Sequence, residues 1–151
     1  MRSGTLALVA VLAAPGALQA QRGHDLQVHA LGVIGAREFV GGGVGAGVRL
    51  GRSVRLAGTG TVGWEEGDRL AGRGEALVGV HVTLGRGRGP GLYAGGGVAA
   101  QVAEADTRGY LALVVGVEGR PTGGGWFAEV GVGGGARVAL GYRVTRLRRP
   151  R

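Results

Sequence analysis

The stretch GGGVGAGVRLGRSVRLAGTGTVGW, residues 41–64, decides the fold. Valine, alanine or leucine stands at nearly every second position, and glycine, which weakens helices and strands alike, fills most of the gaps. Alternation with a period of two is typical of β-strands whose two faces meet different surroundings. A short break at residues 51–53 divides the stretch, which therefore predicts two neighbouring strands.

The same alternation continues through the rest of the chain and predicts an all-β protein. Breaker-rich segments separate the runs, and none is long enough to hold a crossover helix, so consecutive strands are expected to pair as antiparallel hairpins. The predicted strands span residues 26–34, 40–50, 54–64, 70–84, 92–102, 111–117, 126–132 and 136–144. If the glycine run at residues 133–135 is a bulge instead of a turn, the count falls to seven.

The two faces of these strands differ sharply in chemistry. One face carries valine, leucine, alanine and glycine with no charge, and the other carries every charged strand residue among small residues. Because an unpaired charge held away from water is costly, the acids and arginines of the second face are expected to pair. The predicted network comprises Arg49, Arg55, Arg73, Glu75, Glu118, Glu129 and Arg137.

A single sheet of this kind would leave two open edges, and closure into an up-and-down barrel removes them. The sparse polar face favours a transmembrane barrel, in which apolar side chains meet lipid and polar ones line the lumen. Three aromatic residues near strand ends also belong to the apolar face, where interfacial girdles form. These predicted lipid-interface aromatics are Trp64, Trp126 and Tyr142.

Two other functions fit the same alternation. A soluble periplasmic barrel would turn Val, Leu and Trp inward to hold a small apolar ligand. A membrane barrel with a loosely filled lumen would conduct ions. The orientation of Val44, Val80 and Val115 relative to Arg73 and Glu129 separates the soluble barrel from the membrane barrel.

Composition and chain ends point to an exported, single-domain protein. The 151 residues include no cysteine, and the formal charge of +8 comes with 18 basic residues, all arginine. Residues 1–20 combine Arg2, an apolar run and a small-residue site, which predicts a cleaved signal peptide. Residues 21–151 then form one barrel domain with a basic C-terminal tail. The scattered arginines give no reason to expect a nucleic-acid partner.

Motifs for catalysis or cofactor binding are weak. GTGTVG at residues 58–63 matches a dinucleotide fingerprint but has no helix after it. Neither the three histidines, His24, His29 and His81, nor the lone serine of the predicted mature chain, Ser53, stands in a pattern that predicts a metal or a nucleophile. Glu65 and Glu66 are expected to be exposed loop acids. We therefore expect no enzymatic activity, no cofactor and no metal.

The eight alternating strands, with GPGLYAGGGVAAQ at residues 89–101 and GGGARVALGYRV at residues 133–144, resemble the small eight-stranded outer-membrane barrels of the OmpA and OmpX type. The resemblance implies a monomer in the outer membrane of a Gram-negative cell, with outer-membrane lipid and the outer-membrane insertion machinery as partners. It also implies that both termini lie on the periplasmic side. Turns one, three and five, which are rich in acids, would then face outward. The expected role is structural or surface interaction in the cell envelope.

Overall fold

Eight antiparallel strands close into one barrel in a computed structural model of the protein, which describes residues 22–50, 53–84, 89–104, 106–119 and 123–147. In chain order the strands are β1 (Arg22–Ile34), β2 (Phe39–Leu50), β3 (Val54–Glu65), β4 (Arg69–Thr83), β5 (Gly91–Ala103), β6 (Asp106–Glu118), β7 (Gly123–Val132) and β8 (Ala136–Leu147).

Each strand pairs with its sequence neighbours, and β1 closes the barrel against β8. Val28 of β1, for example, lies opposite Val44 of β2 on one side and Tyr142 of β8 on the other. The predicted eight-stranded, up-and-down antiparallel barrel is therefore confirmed. The start of β1 and the end of β8 lie at one end of the barrel, named the terminal end here; the opposite end is the loop end.

The glycine run between β7 and β8 is a turn, so the strands number eight, not seven. Gly134 has a φ of +83°, in the left-handed region that side-chain-bearing residues rarely adopt. The chain reverses there, and Val132 pairs with Ala136 across the turn.

Several strands are longer than the sequence predicts. β1 begins at Arg22, not at residue 26, β6 begins at Asp106, not at residue 111, and β8 ends at Leu147, not at residue 144. The added segments contain polar residues such as Asp25 and Thr145, whose side chains are buried inside the barrel. The sequence pattern predicts no strand at these two positions, whereas in the structure Asp25 and Thr145 continue the inner face.

The apolar face of the strands points outward. Val44, Val80 and Val115 are 64%, 53% and 57% exposed, whereas Arg73 and Glu129 are 2% and 5% exposed. A soluble container with valine and tryptophan inside requires the reverse arrangement, so that alternative is wrong.

The sequence pattern suggested that small and charged residues alone fill the inner face, but large apolar side chains lie there as well. Near the loop end, Leu31, Val33 and Phe39 are buried together with three alanines of β4, β5 and β8. Leu31 and Val33 stand at inward positions of β1 and Phe39 at an inward position of β2, and together with the alanines they form an apolar layer across the barrel. Eight strands enclose a space that side chains of this size can fill.

Part of the sequence prediction falls outside the described residues. The predicted signal peptide at residues 1–20 lies there, and so do Arg148, Arg149 and Arg151 of the basic tail. Of the residues that the structure describes, none belongs to a helix long and apolar enough to cross a membrane.

Candidate functional site

The barrel interior holds ten buried charged side chains in balanced numbers, counting described residues and leaving the histidines aside. Five are carboxylates and five are guanidinium groups. Every strand except β5 contributes at least one of them, because the inward positions of the strands converge on the same axis. The ten are Asp25, Arg49, Arg55, Glu65, Arg73, Glu75, Glu118, Glu129, Arg137 and Arg143.

Glu75 lies at the centre of the first cluster. Arg73 donates from Nε to its Oε1 at 2.9 Å, and Arg137 donates from Nη2 to its Oε2 at 2.8 Å. Arg137 also lies 2.8 Å from Glu129 through Nη1, and Arg73 donates to the backbone oxygen of Gly133 at 2.8 Å. Because the charges alternate along this chain of contacts, no carboxylate of the cluster is left without a cation.

A second cluster forms around Glu118 and Arg143. Arg143 donates to Glu118 Oε2 at 2.8 Å, and Arg49 lies 3.2 Å from Oε1 of the same carboxylate. Arg143 also donates to Gln27 Oε1 at 3.1 Å, which in turn accepts from Arg55 at 3.0 Å.

Arg55 completes the interior network with a bidentate pair at the terminal end. Its Nε and Nη2 donate to the two carboxylate oxygens of Asp25 at 2.8 and 2.6 Å. Bidentate arginine–carboxylate pairs of this kind are stronger and more specific in geometry than hydrogen bonds between neutral groups. Through Gln27 and Arg143, this pair is continuous with the Glu118 cluster, and Arg143 also approaches Glu129 at 3.7 Å.

Glu65 corrects the sequence prediction that it is an exposed loop acid. Its relative exposure is 0%, and it ends β3 with its side chain inside the loop end of the barrel. Gln101 donates to its Oε2 at 2.8 Å, and Arg37 donates to its Oε1 at 3.0 Å. Glu66, the next residue, is exposed as predicted.

Two further arginines, Arg69 and Arg108, approach the same Glu65 oxygen at 3.2 and 3.4 Å. They also pair with the exposed acids Glu66 and Asp106. The hydrogen bond from Arg37 to Glu65 raises the pKa of the Arg37 guanidinium in the first turn. Glu65 thus ties the turn after β1 to β4 and β6 at this end of the barrel.

One cavity beside these side chains is small. A cavity of about 20 Å³ lies among Arg55, His81, Tyr93 and Glu129, which is room for about one water molecule. Tyr93 donates to Glu129 at 2.7 Å, and its ring stacks on His81 with centroids 4.8 Å apart. Large aromatic side chains therefore help fill the interior beside the ion pairs.

All seven residues of the predicted network face the interior, and each forms at least one ion pair. Sequence reasoning left out Asp25, Glu65 and Arg143. Asp25 precedes the first predicted strand and Glu65 follows the third, whereas Arg143 lies on the polar face of the last predicted strand but outside the predicted network. The signal that finds them is parity, because all three continue the inward alternation of their strands.

The three predicted interface aromatics lie on the outer face, between 50% and 55% exposed. Trp64 is the penultimate residue of β3 and lies at the loop end, while Trp126 and Tyr142 are cross-strand partners toward the terminal end. The Tyr142 hydroxyl lies directly beside Gly124, and Trp126 Nε1 lies directly beside Gly119. Both polar atoms therefore point toward the terminal end.

The outer apolar surface has the height of a bilayer core. From Val54 to Trp64 the strand advances ten residues, which at about 3.3 Å per residue and a tilt of about 40° spans about 25 Å. Apolar bands of about 25 Å, flanked by aromatic girdles, are typical of transmembrane barrels.

The weaker sequence motifs form no site among the described residues. GTGTVG lies within β3, and the chain continues into another strand, β4. His29 lies 2.9 Å from the Thr61 hydroxyl, whereas His81 lies 3.2 Å from Glu118. In the part of the chain that the structure describes, no three metal-ligating side chains come together.

Comparisons with known proteins identify the fold. No protein-family model and no curated protein matches the chain. Among solved structures, the N-terminal β-barrel domain of Pseudomonas aeruginosa OprF is similar with a TM-score of 0.59 and 16% identity, over 81% of this chain and 97% of that one. Neisserial surface protein A is similar with a TM-score of 0.53 and 11% identity, over 82% of this chain and 96% of the other. The chain therefore has the fold of the small eight-stranded outer-membrane barrels, as predicted.

Proposed function

We propose that the protein is a non-enzymatic outer-membrane β-barrel with a closed lumen and a structural or surface-interaction role in the cell envelope. The single observation that carries the proposal is the inversion of the barrel. Its outer face is a continuous apolar band, while its charges are buried and paired inside. In water this arrangement would expose far more contiguous apolar surface than soluble monomers carry.

The balanced charges support a closed lumen. A net charge along the axis would attract counter-ions and water, whereas five carboxylates and five guanidinium groups neutralise one another through direct contacts. The aromatic and apolar inner side chains take up further space, and the interior cavity at Tyr93 has room for about one water. A hydrated ion needs a wider path than this.

The chemistry of the interior supports the absence of catalysis. Interior carboxylates of the described strands already accept hydrogen bonds from arginine, glutamine or tyrosine, so none is free to act as a general base. Ser53, the serine of the predicted mature chain, stands in the turn between β2 and β3. Outer-membrane lipid and the insertion machinery remain the expected partners.

Fractionation and electrophoresis test the proposal. The protein expressed with its full sequence should partition into the outer-membrane fraction and change its gel mobility on boiling, because folded barrels resist detergent until heated. In planar bilayers it should give a flat current trace. Solubility without detergent, together with unchanged mobility on boiling, would contradict the membrane assignment, and steady conductance would contradict the closed lumen.

A further inference from the structure

Two grooves on the outer face of the barrel meet at β1 and β2. One has a volume of about 590 Å³ and extends over β3 and β4, and the other has a volume of about 490 Å³ and extends over β8. Leu26 and Ala46 line both grooves. Ala46 and Gly58 form the floor of the first groove, because these small residues stand between larger ones such as Leu56 and Val78.

Basic side chains stand where the grooves approach the terminal end. His24 lines the first groove, and Arg146 lies directly opposite His24 in the pairing of β1 with β8. Both side chains are exposed on the outer face. Among the exposed strand side chains that the structure describes, Arg146 is the only arginine, and the exposed acids lie at the loop end. The Arg146 guanidinium therefore has no carboxylate partner on the described outer face.

Tyr142 links the second groove to the same end. It lines this groove, and its hydroxyl points past Gly124 toward the terminal end. Tyrosine in this position presents its ring to hydrocarbon and its hydroxyl to the headgroup region. The edge of the hydrocarbon layer then falls close to His24 and Arg146, at the depth where phosphate groups lie.

We propose that this face binds one anionic diacyl phospholipid of the leaflet at the terminal end. Its headgroup lies against His24 and Arg146, and its two acyl chains occupy the two grooves. Two apolar grooves that meet beside one cationic position match a lipid with two chains and one phosphate. The absence of a described outward-facing carboxylate at this end favours a headgroup with net negative charge. The inference rests on the proposed membrane function.

Native mass spectrometry of the detergent-folded full chain tests the site. Phosphatidylglycerol, phosphatidylethanolamine and phosphatidylcholine with identical acyl chains are supplied at equal concentration. Phosphatidylglycerol should be retained about five-fold more than phosphatidylcholine, the factor that one cation near a membrane surface contributes. Arg146→Gln should remove this preference. Arg37→Gln, a matched charge loss in the first turn at the loop end, should retain it.

A second pair of variants tests the grooves. Ala46→Leu fills the position that both grooves share and should lower retention of all three lipids, whereas Ala94→Leu, an outward position on β5, should not. Equal retention of the anionic and zwitterionic lipids, equal losses in the two arginine variants, or equal retention in the two alanine variants would overturn the proposal.

Heat-modifiable mobility is measured on every sample. A folded barrel without lipid preference refutes this site alone, and loss of the folded form in the parent protein refutes the proposed function.

Discussion

Glu75→Gln is the substitution that most directly probes the interior network. The Glu75 side chain is 0% exposed, and its carboxylate accepts hydrogen bonds from Arg73 and Arg137 at 2.8 to 3.1 Å. The amide keeps the size of the side chain and removes its charge. Five buried guanidinium groups would then face four carboxylates.

The expected loss of stability follows from this imbalance. Removing one partner of a buried ion pair leaves an uncompensated charge and costs about 3–5 kcal/mol. The matched control is Glu66→Gln, whose carboxylate pairs with Arg69 on the surface, and for which a change of about 0–1 kcal/mol is expected. The double variant Glu75→Gln/Arg137→Gln should recover part of the loss, because it restores the charge balance.

Urea unfolding in phospholipid vesicles measures these values, with tryptophan fluorescence and heat-modifiable mobility as two independent readouts. Trp64 and Trp126 report on opposite parts of the barrel. A loss for Glu75→Gln no larger than that for Glu66→Gln would refute the reasoning that the interior charges depend on one another. So would a double variant whose loss of stability, relative to the parent protein, equals the sum of the losses of Glu75→Gln and Arg137→Gln measured singly.

Three further predictions concern the outer face, a turn and the tyrosine inside the barrel. Val44→Arg, near the middle of β2, should lower the free energy of unfolding by about 2–4 kcal/mol in the same vesicle assay. Val40→Arg, near the loop end, should lower it by only about 0–1 kcal/mol. Equal losses would argue against a bilayer around this surface. Gly134→Ala should destabilise by about 1 kcal/mol or more because of its positive φ. Gly60→Ala, whose methyl group would meet open space, should not, so similar losses would contradict the turn geometry. Tyr93→Phe removes the hydrogen bond to Glu129 and should cost about 1–3 kcal/mol by urea unfolding, and an unchanged midpoint would show that this bond contributes nothing.

The barrel and the direction of its faces follow from the sequence because both depend on local alternation. A strand turns successive side chains to opposite sides, so the assignment of Val44 to one face and Arg73 to the other needs no knowledge of the partners. The lack of room for crossover helices predicts consecutive antiparallel hairpins, and closure follows because an open sheet would leave two unpaired edges. The number of strands depended on Gly134, whose conformation decides between a turn and a bulge, and sequence alone left both open.

The partners inside the barrel could not be read from the sequence, because the stagger between strands sets them. Glu75 pairs with Arg73 two residues away and with Arg137 sixty-two residues away, and only the second contact depends on how the strands are offset around the axis. Glu65 was assigned to a loop because the letters after it, EGD, are typical of a turn. Its burial comes from Arg37 and Gln101, which approach from other strands and turns.

The central claim is that hydrocarbon surrounds the apolar face, and nitroxide accessibility measures this directly. Because the chain contains no cysteine, a single cysteine at Val44 or Val115 carries the only label, and a label at Glu66 serves as the aqueous control. In vesicles, labels at Val44 and Val115 should collide more with oxygen than with a water-soluble nickel chelate, and the label at Glu66 should show the opposite. Higher collision rates with the nickel chelate at Val44 and Val115 would contradict the account.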